Sequence, residues 1–129
     1  MAVDVNNPCL FCNLPDNLKI QAENDLAFAV FDGFPVNPGH VLVIPKRHVA
    51  NYFELTKNEL SAIQELLFLM KSRVEKEFHP DGFNIGINVG ECAGQSVFHV
   101  HVHLIPRFKG DVENPRGGVR GVIPAKQKY

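Results

Sequence analysis

Residues 95–108 read QSVFHVHVHLIPRF, and three of the chain's six histidines, His99, His101 and His103, stand there at every second position. A strand sends alternate side chains to opposite faces. Period two therefore predicts that the three imidazoles share one face while Phe98, Val100, Val102 and Leu104 share the other. The apolar set is expected in the core, the histidines at a site of chemistry. Two readings are open. The three rings could ligate a catalytic metal together, since neutral imidazole is a common zinc ligand. Alternatively, one attacks phosphorus and forms a labile phosphohistidine while its neighbours hold phosphate oxygens.

The flanking sequence supplies the scaffold. VFHVHVHLI at 97–105 joins three other strand candidates, LAFAVF at 26–31, GHVLVIP at 39–45 and FNIGINV at 83–89, each bounded by Gly, Pro, Asn or Asp. The clearest helix is residues 56–78. Thr56 and Glu59 form a capping-box pattern, and Leu60, Ile63, Leu67, Met70, Val74 and Phe78 recur at three and four. Leu66 and Phe68 are expected to widen that stripe, and His79, Pro80, Asp81 and Gly82 to end it. A short helical turn is expected around Leu18. The order of elements predicts an α+β fold, a largely antiparallel sheet with one long helix packed on it.

At 129 residues without internal repeats, the chain is expected to form a single domain, 1–129, with a basic tail from about residue 107. That tail holds Arg107, Lys109, Arg116, Arg120, Lys126 and Lys128 against Asp111 and Glu113. It reads either as a solvated tail or as a group of cations near a polyphosphate or a partner subunit. A formal net charge of -1 provides no general attraction to nucleic acid or anionic membrane, so neither is expected as a partner. The opening MAVDVNNPCLFCNLPDN has no basic segment followed by an apolar run, and no stretch approaches a membrane span. Three cysteines, an odd number, fit a reducing compartment, and a cytoplasmic location is expected.

Two of those cysteines, Cys9 and Cys12 in NPCLFCNLP, have the spacing of half a zinc site. A thioredoxin-like redox pair is the rival, but that pair normally opens a helix after a strand, which is not predicted here. Cys92, in GECAGQS, reads as a small loop residue.

QSVFHVHVH resembles the signature of the histidine triad (HIT) superfamily, three histidines separated by single apolar residues after a Gln-Ser or Gln-Thr pair. FDGFPVNPGHVLVIPKRH at 31–48 is similar to the family's upstream strand pair, and NVGECAGQS at 88–96 to its phosphate-binding loop. The resemblance implies a HIT-like five-stranded sheet, joined to a second copy in a homodimer, and a purine nucleotide substrate. It implies that His101 is the nucleophile at the α-phosphorus, that His103 contacts phosphate and that His40 lies near the triad. Asp32 matches the position that binds ribose hydroxyls, a role suited to a carboxylate that accepts two hydrogen bonds. Asp32 also reads as a turn residue in DG. Asn88, Gln95 and Ser96 match positions that hold the phosphates or the bridging oxygen. Zinc-bearing relatives and the galactose-1-phosphate uridylyltransferases further imply His48 and His99 as partners of Cys9 and Cys12 around a structural zinc.

The resemblance implies an enzyme that hydrolyses or transfers nucleotides through a nucleotidyl-histidine. HVHLIPRFKGD and the basic NPRGGVR resemble the fragile histidine triad and bacterial hydrolase branch, which act on dinucleoside polyphosphates. Arg116 and Arg120 are then expected to meet the distal phosphates, and Mg2+ to accompany them. The alternatives are an adenosine phosphoramidase, a nucleotidyltransferase or phosphorylase, a nucleotide-binding sensor without turnover, and a catalytic metal held by all three triad histidines.

Overall fold

The capping box forms as the sequence predicts: Thr56 Oγ1 accepts the Glu59 N–H at 3.1 Å, and Glu59 Oε1 accepts the Thr56 N–H at 2.9 Å. The computed structural model describes residues 8–129, with α1 spanning Lys57–Phe78. Residues 1–7, which begin the stretch read for an export signal, lie outside the described residues. Glu59 is buried, at 4% exposure, because Arg47 grips its carboxylate at 2.8 and 3.0 Å. Hydrogen bonding to that guanidinium draws the Glu59 carboxyl down to about 2. His79 adopts φ 54 and closes the helix by donating its N–H to the Glu75 carbonyl.

The helix buries Ala62, Ile63, Leu66, Met70 and Val74, with Leu67 and Phe78 at the margins. Phe68 departs from expectation and is 68% exposed. It stands two residues, about 200°, from both Leu66 and Met70, so a stripe centred on those two faces away from it.

Five strands form one antiparallel sheet: β1 Ile20–Glu23, β2 Ala27–Phe31, β3 Val41–Pro45, β4 Gly82–Ile87 and β5 Val102–Arg107, in the order β1-β2-β3-β5-β4. The α+β arrangement expected from sequence is the one observed. Helix α1 covers Ala27, Ala29, Val41, Val43, Val102 and Leu104. On the opposite face Phe28, Val30, Leu42 and Ile44 pack with Phe11 into a second cluster. Burial on both faces explains why β2 and β3 read as unbroken apolar runs.

Several elements differ from those expected. β1, IQAE, is a short edge strand with little apolar signal, and a hydrogen-bonded turn from Leu18 N–H to the Pro15 carbonyl leads into it where a helical turn was expected. β4 stops at Ile87, leaving Asn88 and Val89 in the following loop. β5 starts only at Val102, so of the three triad histidines only His103 lies in the ladder.

That late start overturns part of the alternation. Val100, Val102 and Leu104 are buried as predicted, but Phe98 is 51% exposed and His99 is wholly buried. The chain bends at residues 97–99, and the Val100 N–H bonds to the Val49 carbonyl outside the ladder. Without ladder pairing there is no pleat to impose alternation on Phe98 and His99.

Beyond β5, Arg107 donates to both Asp111 oxygens at 2.8 Å and to Asn84 at 2.6 Å. The tail then folds back in short 3-10 turns at Gly118–Val122 and Pro124–Lys126, the first against β4. Among the described residues no helix is long and apolar enough to cross a membrane.

Candidate active site

His40 enters the site from a tight turn. Gly39 has φ +88, and a Cβ there would stand 2.8 Å from the Phe78 ring, so the step into β3 requires glycine. His40 Nδ1 receives the Val36 backbone N–H at 3.0 Å. A backbone N–H can only donate. Neutral imidazole has one donor and one acceptor, so the His40 proton sits on Nε2. That nitrogen lies 3.0 Å from His103 Nδ1 and 3.5 Å from Asp32 Oδ2. His103 Nδ1 accepts in turn, and His103 keeps its own proton on Nε2. Burial keeps both rings neutral: it lowers the His40 pKa against the opposing pull of Asp32. For His103, burial and then the neighbouring His101 and His40 bring the pKa to about 4.

His101 has the opposite tautomer. Its Nδ1 lies 2.9 Å from the His99 carbonyl, which can only accept, so the proton sits on Nδ1 and Nε2 carries an unshared pair. The His101 and His103 rings lie 5.1 Å apart. Together they present a base and a donor to one cavity of about 500 Å³, whose walls include Phe11, Leu18, Asp32, Phe34 and Ser96. Its apolar wall and few polar groups suit a flat heteroaromatic ligand with an anionic part.

Asp32 Oδ1 accepts the Phe34 N–H at 2.9 Å, the turn predicted from DG, while its second oxygen faces His40. Gln95 is 5% exposed, and its amide is spent on backbone: Oε1 accepts Gly90 N–H, and Nε2 donates to the Ala50 and Val97 carbonyls. It braces the loop from which exposed Ser96 reaches the cavity. Asn88 is half-buried beside Gly94, off the cavity wall. Arg116 and Arg120 do not line the cavity either; both guanidinium groups lie 4.9 Å from the Tyr129 ring, and Arg120 donates to the Lys126 and Gln127 carbonyls.

A second centre adjoins the first. Cys9, Cys12, His48 and His99 bring one ligand atom each within 4.8 Å of one another. The Sγ–Nδ1 distances are 3.4 Å for Cys9–His99, 3.3 Å for Cys12–His48 and 3.5 Å for Cys12–His99. Metal–sulfur and metal–nitrogen bonds of about 2.3 and 2.0–2.1 Å at tetrahedral angles require about 3.6 Å, so the set fits one ion. His99 Nε2 donates to the Pro45 carbonyl at 2.7 Å, which turns the Nδ1 lone pair toward the thiols. Burial lowers the His99 pKa and keeps that lone pair available.

Asp32, His40 and His103 also converge within the same limit. They do not suit a metal. Ligation through His40 Nε2 would move its proton to Nδ1, against the Val36 N–H, so this group is a hydrogen-bonded chain. Neither cluster offers the all-oxygen ligand set that magnesium takes. Nor do the three triad histidines form one metal cluster among the described residues: His99 turns to the thiols, His101 to a carbonyl and His103 to His40.

The HIT domain pattern matches residues 16–110 of this sequence. The chain belongs to the HIT domain family. It is 47% identical over 90 residues to a bis(5'-adenosyl)-triphosphatase of Dictyostelium discoideum, covering 70% of this chain and 60% of that one. It is 41% identical over 95 residues to an AP-4-A phosphorylase of Mycobacterium tuberculosis, covering 71% and 48%. Among solved structures, a HIT family protein from Bacillus anthracis superposes with a TM-score of 0.75 at 39% identity, over 81% of this chain and 77% of that one. A Zn-bound histidine triad family protein from Mycobacterium smegmatis gives 0.72 at 30% identity, over 83% and 80%.

Of the eleven candidate residues expected from sequence, Cys9, Cys12, His48 and His99 converge in one cluster, and Asp32, Ser96, His101 and His103 line the cavity. His40 lies behind His103, Gln95 braces the loop, and Asn88 lies off the wall. Two further residues carry no such sequence signal. The Val36 N–H, which sets the proton order, is main chain and leaves no mark in sequence. Phe11 was quoted only as a spacer between cysteines, although it is 3% exposed and touches His101.

Proposed function

We propose that this HIT protein cleaves nucleotides at the α-phosphate through a nucleotidyl-His101 intermediate, with dinucleoside polyphosphates as its substrates. The observation that carries this reading is the His101 Nδ1 to His99 carbonyl contact at 2.9 Å, which leaves Nε2 as the nucleophile. The nucleobase rests against Phe11, Leu18 and Phe34, and Asp32 Oδ2 accepts from the ribose diol. His101 Nε2 bonds to the α-phosphorus, and the bond from phosphorus to the bridging oxygen breaks, its electron pair leaving with the departing phosphate. His103 Nε2–H and Ser96 donate to oxygens whose charge grows in that step. Water then attacks phosphorus, the nitrogen–phosphorus bond breaks back onto Nε2, and the water proton is lost as nucleoside monophosphate departs.

Cys9, Cys12, His48 and His99 would hold a zinc ion in a closed tetrahedral site, where the metal is a structural cross-link. Any magnesium would travel on the substrate's phosphates. The similarity to an AP-4-A phosphorylase favours a second reading, in which inorganic phosphate replaces water in the second step.

We further propose a homodimer joined through β4, which is an open sheet edge with Ile85 54% exposed beside the exposed Phe68.

The test is a panel of diadenosine polyphosphates and an adenosine phosphoramidate, with and without phosphate, for native protein and His101→Ala. Native protein should gain an adenylyl group on His101, and the variant should lose at least about 1,000-fold in kcat. Equal turnover by the variant would sink the mechanism, and the preferred substrate selects the branch.

A further inference from the structure

Phe11 is held between two cysteines yet packs on the catalytic side. Its ring meets His101 at a centroid distance of 5.0 Å and an interplanar angle of 64°, and meets His99 at 6.0 Å and 87°. It is 3% exposed, seated with Phe28, Val30, Leu42 and Ile44 on the sheet face away from the helix. We propose that the Cys9–Cys12 turn is a positioning device: Phe11 holds the His101 ring in the orientation that presents Nε2 to the cavity, and does so when the Cys2His2 cluster carries its metal.

The His101 ring is constrained from two sides, and both lead back to that cluster. On one side Nδ1 is bonded to the backbone carbonyl of His99, itself a member of the cluster. On the other lies Phe11, whose neighbours Cys9 and Cys12 are two more members. Within the turn the backbone is closed by Asn13 N–H to the Cys9 carbonyl at 3.1 Å. Joining both thiols to His48 and His99 ties this turn to the segment that follows β3 and to the segment, leading into β5, that carries the nucleophile. The helix-side core of Met70, Val74, Val102 and Leu104 has no member of the cluster, so loss of the turn's restraint need not unfold the sheet. A nucleophile with two rotatable bonds gains most from such a clamp, since a displacement of about 1 Å can cost about 100-fold in rate.

This inference rests on the nucleotidyl-His101 reading and on metal loading of the cluster, and its test separates the three. Metal-loaded protein labelled with 15N in histidine is compared with Phe11→Ala and Phe11→Leu at neutral pH, with metal content measured on the same samples. In wild type the His101 nitrogens should report one fixed tautomer, protonated at Nδ1. Phe11→Ala should keep its metal and yet show averaged tautomers, with single-turnover adenylylation of His101 about 10- to 100-fold slower and kcat falling more than KM rises. Phe11→Leu, which restores much of the bulk, should recover part of the signal and rate. Chelated wild type should resemble Phe11→Ala while keeping its far-UV circular dichroism.

A fixed tautomer in metal-replete Phe11→Ala overturns the role of Phe11. The same fixed tautomer in chelated wild type overturns the metal's part in it. Failure of wild type to form the adduct would remove the reaction reading instead, and the substrate-free tautomer signal still decides on Phe11.

Discussion

His40 Nε2 and His103 Nδ1 are 3.0 Å apart, and the direction of their hydrogen bond is set from outside the pair by the Val36 N–H on His40 Nδ1. The order Val36 to His40 to His103 leaves His103 Nε2 as a permanent donor in the neutral site. His40→Leu removes the second link and frees His103 to take either tautomer. We expect kcat to fall about 10- to 100-fold with KM changed less than about threefold, because the lost donor acts on charge that develops in the transition state. Native kcat in that variant would refute the relay.

Acid should destabilise the fold through the same pair. His103 has a folded pKa of about 4 against an ordinary 6.5, so between those values the unfolded chain binds a proton that the native site refuses. Stability must therefore fall as pH drops from about 6.5 toward about 4 and level off below. His40, lowered by burial, adds the same sign. Thermal unfolding of wild type and His103→Gln across that range measures it: the variant's slope should be shallower, and identical slopes would contradict the assignment.

Metal removal should loosen a defined part of the molecule. Chelation or Cys12→Ser is expected to release one ion per chain and lower Tm by several degrees, with hydrogen exchange rising at residues 9–18 and 97–101 before the α1 core. Cobalt substitution should give thiolate charge-transfer bands that Cys12→Ser weakens. Absence of stoichiometric metal from freshly purified protein and failure to bind added zinc would remove the structural site.

The β4 edge predicts the oligomeric state. Ile85→Lys places a charge on an exposed apolar edge residue, the device by which natural sheets discourage edge pairing. Sedimentation should show a dimer for wild type and a monomer for the variant, with the variant's secondary structure unchanged. A wild-type monomer at micromolar concentration would exclude this interface.

Much of the architecture can be read locally. The Thr56–Glu59 box and the periodicity through Ile63, Met70 and Val74 are contained within α1, and Val100, Val102 and Leu104 keep their period of two. β1 is not legible because a four-residue edge strand with no fully buried side chain carries little pattern. Phe68 is exposed because its position around the helix, not its apolar character, decides which face it joins.

What the sequence determined by itself is which chemistry is present and which elements hold it: three imidazoles at alternate positions, a pair of thiols two residues apart, and one capped amphipathic helix beside short apolar strands. Those depend on interactions between near neighbours. Only the tertiary structure decided how the imidazoles divide their work. Pro45, His48 and the two cysteines approach His99 from 51 to 90 residues away in sequence and rotate it out of the alternation, while Val36 reaches His103 only through His40. Ring orientation and proton position follow from which donor or acceptor faces each nitrogen, and those partners meet only when the chain is folded.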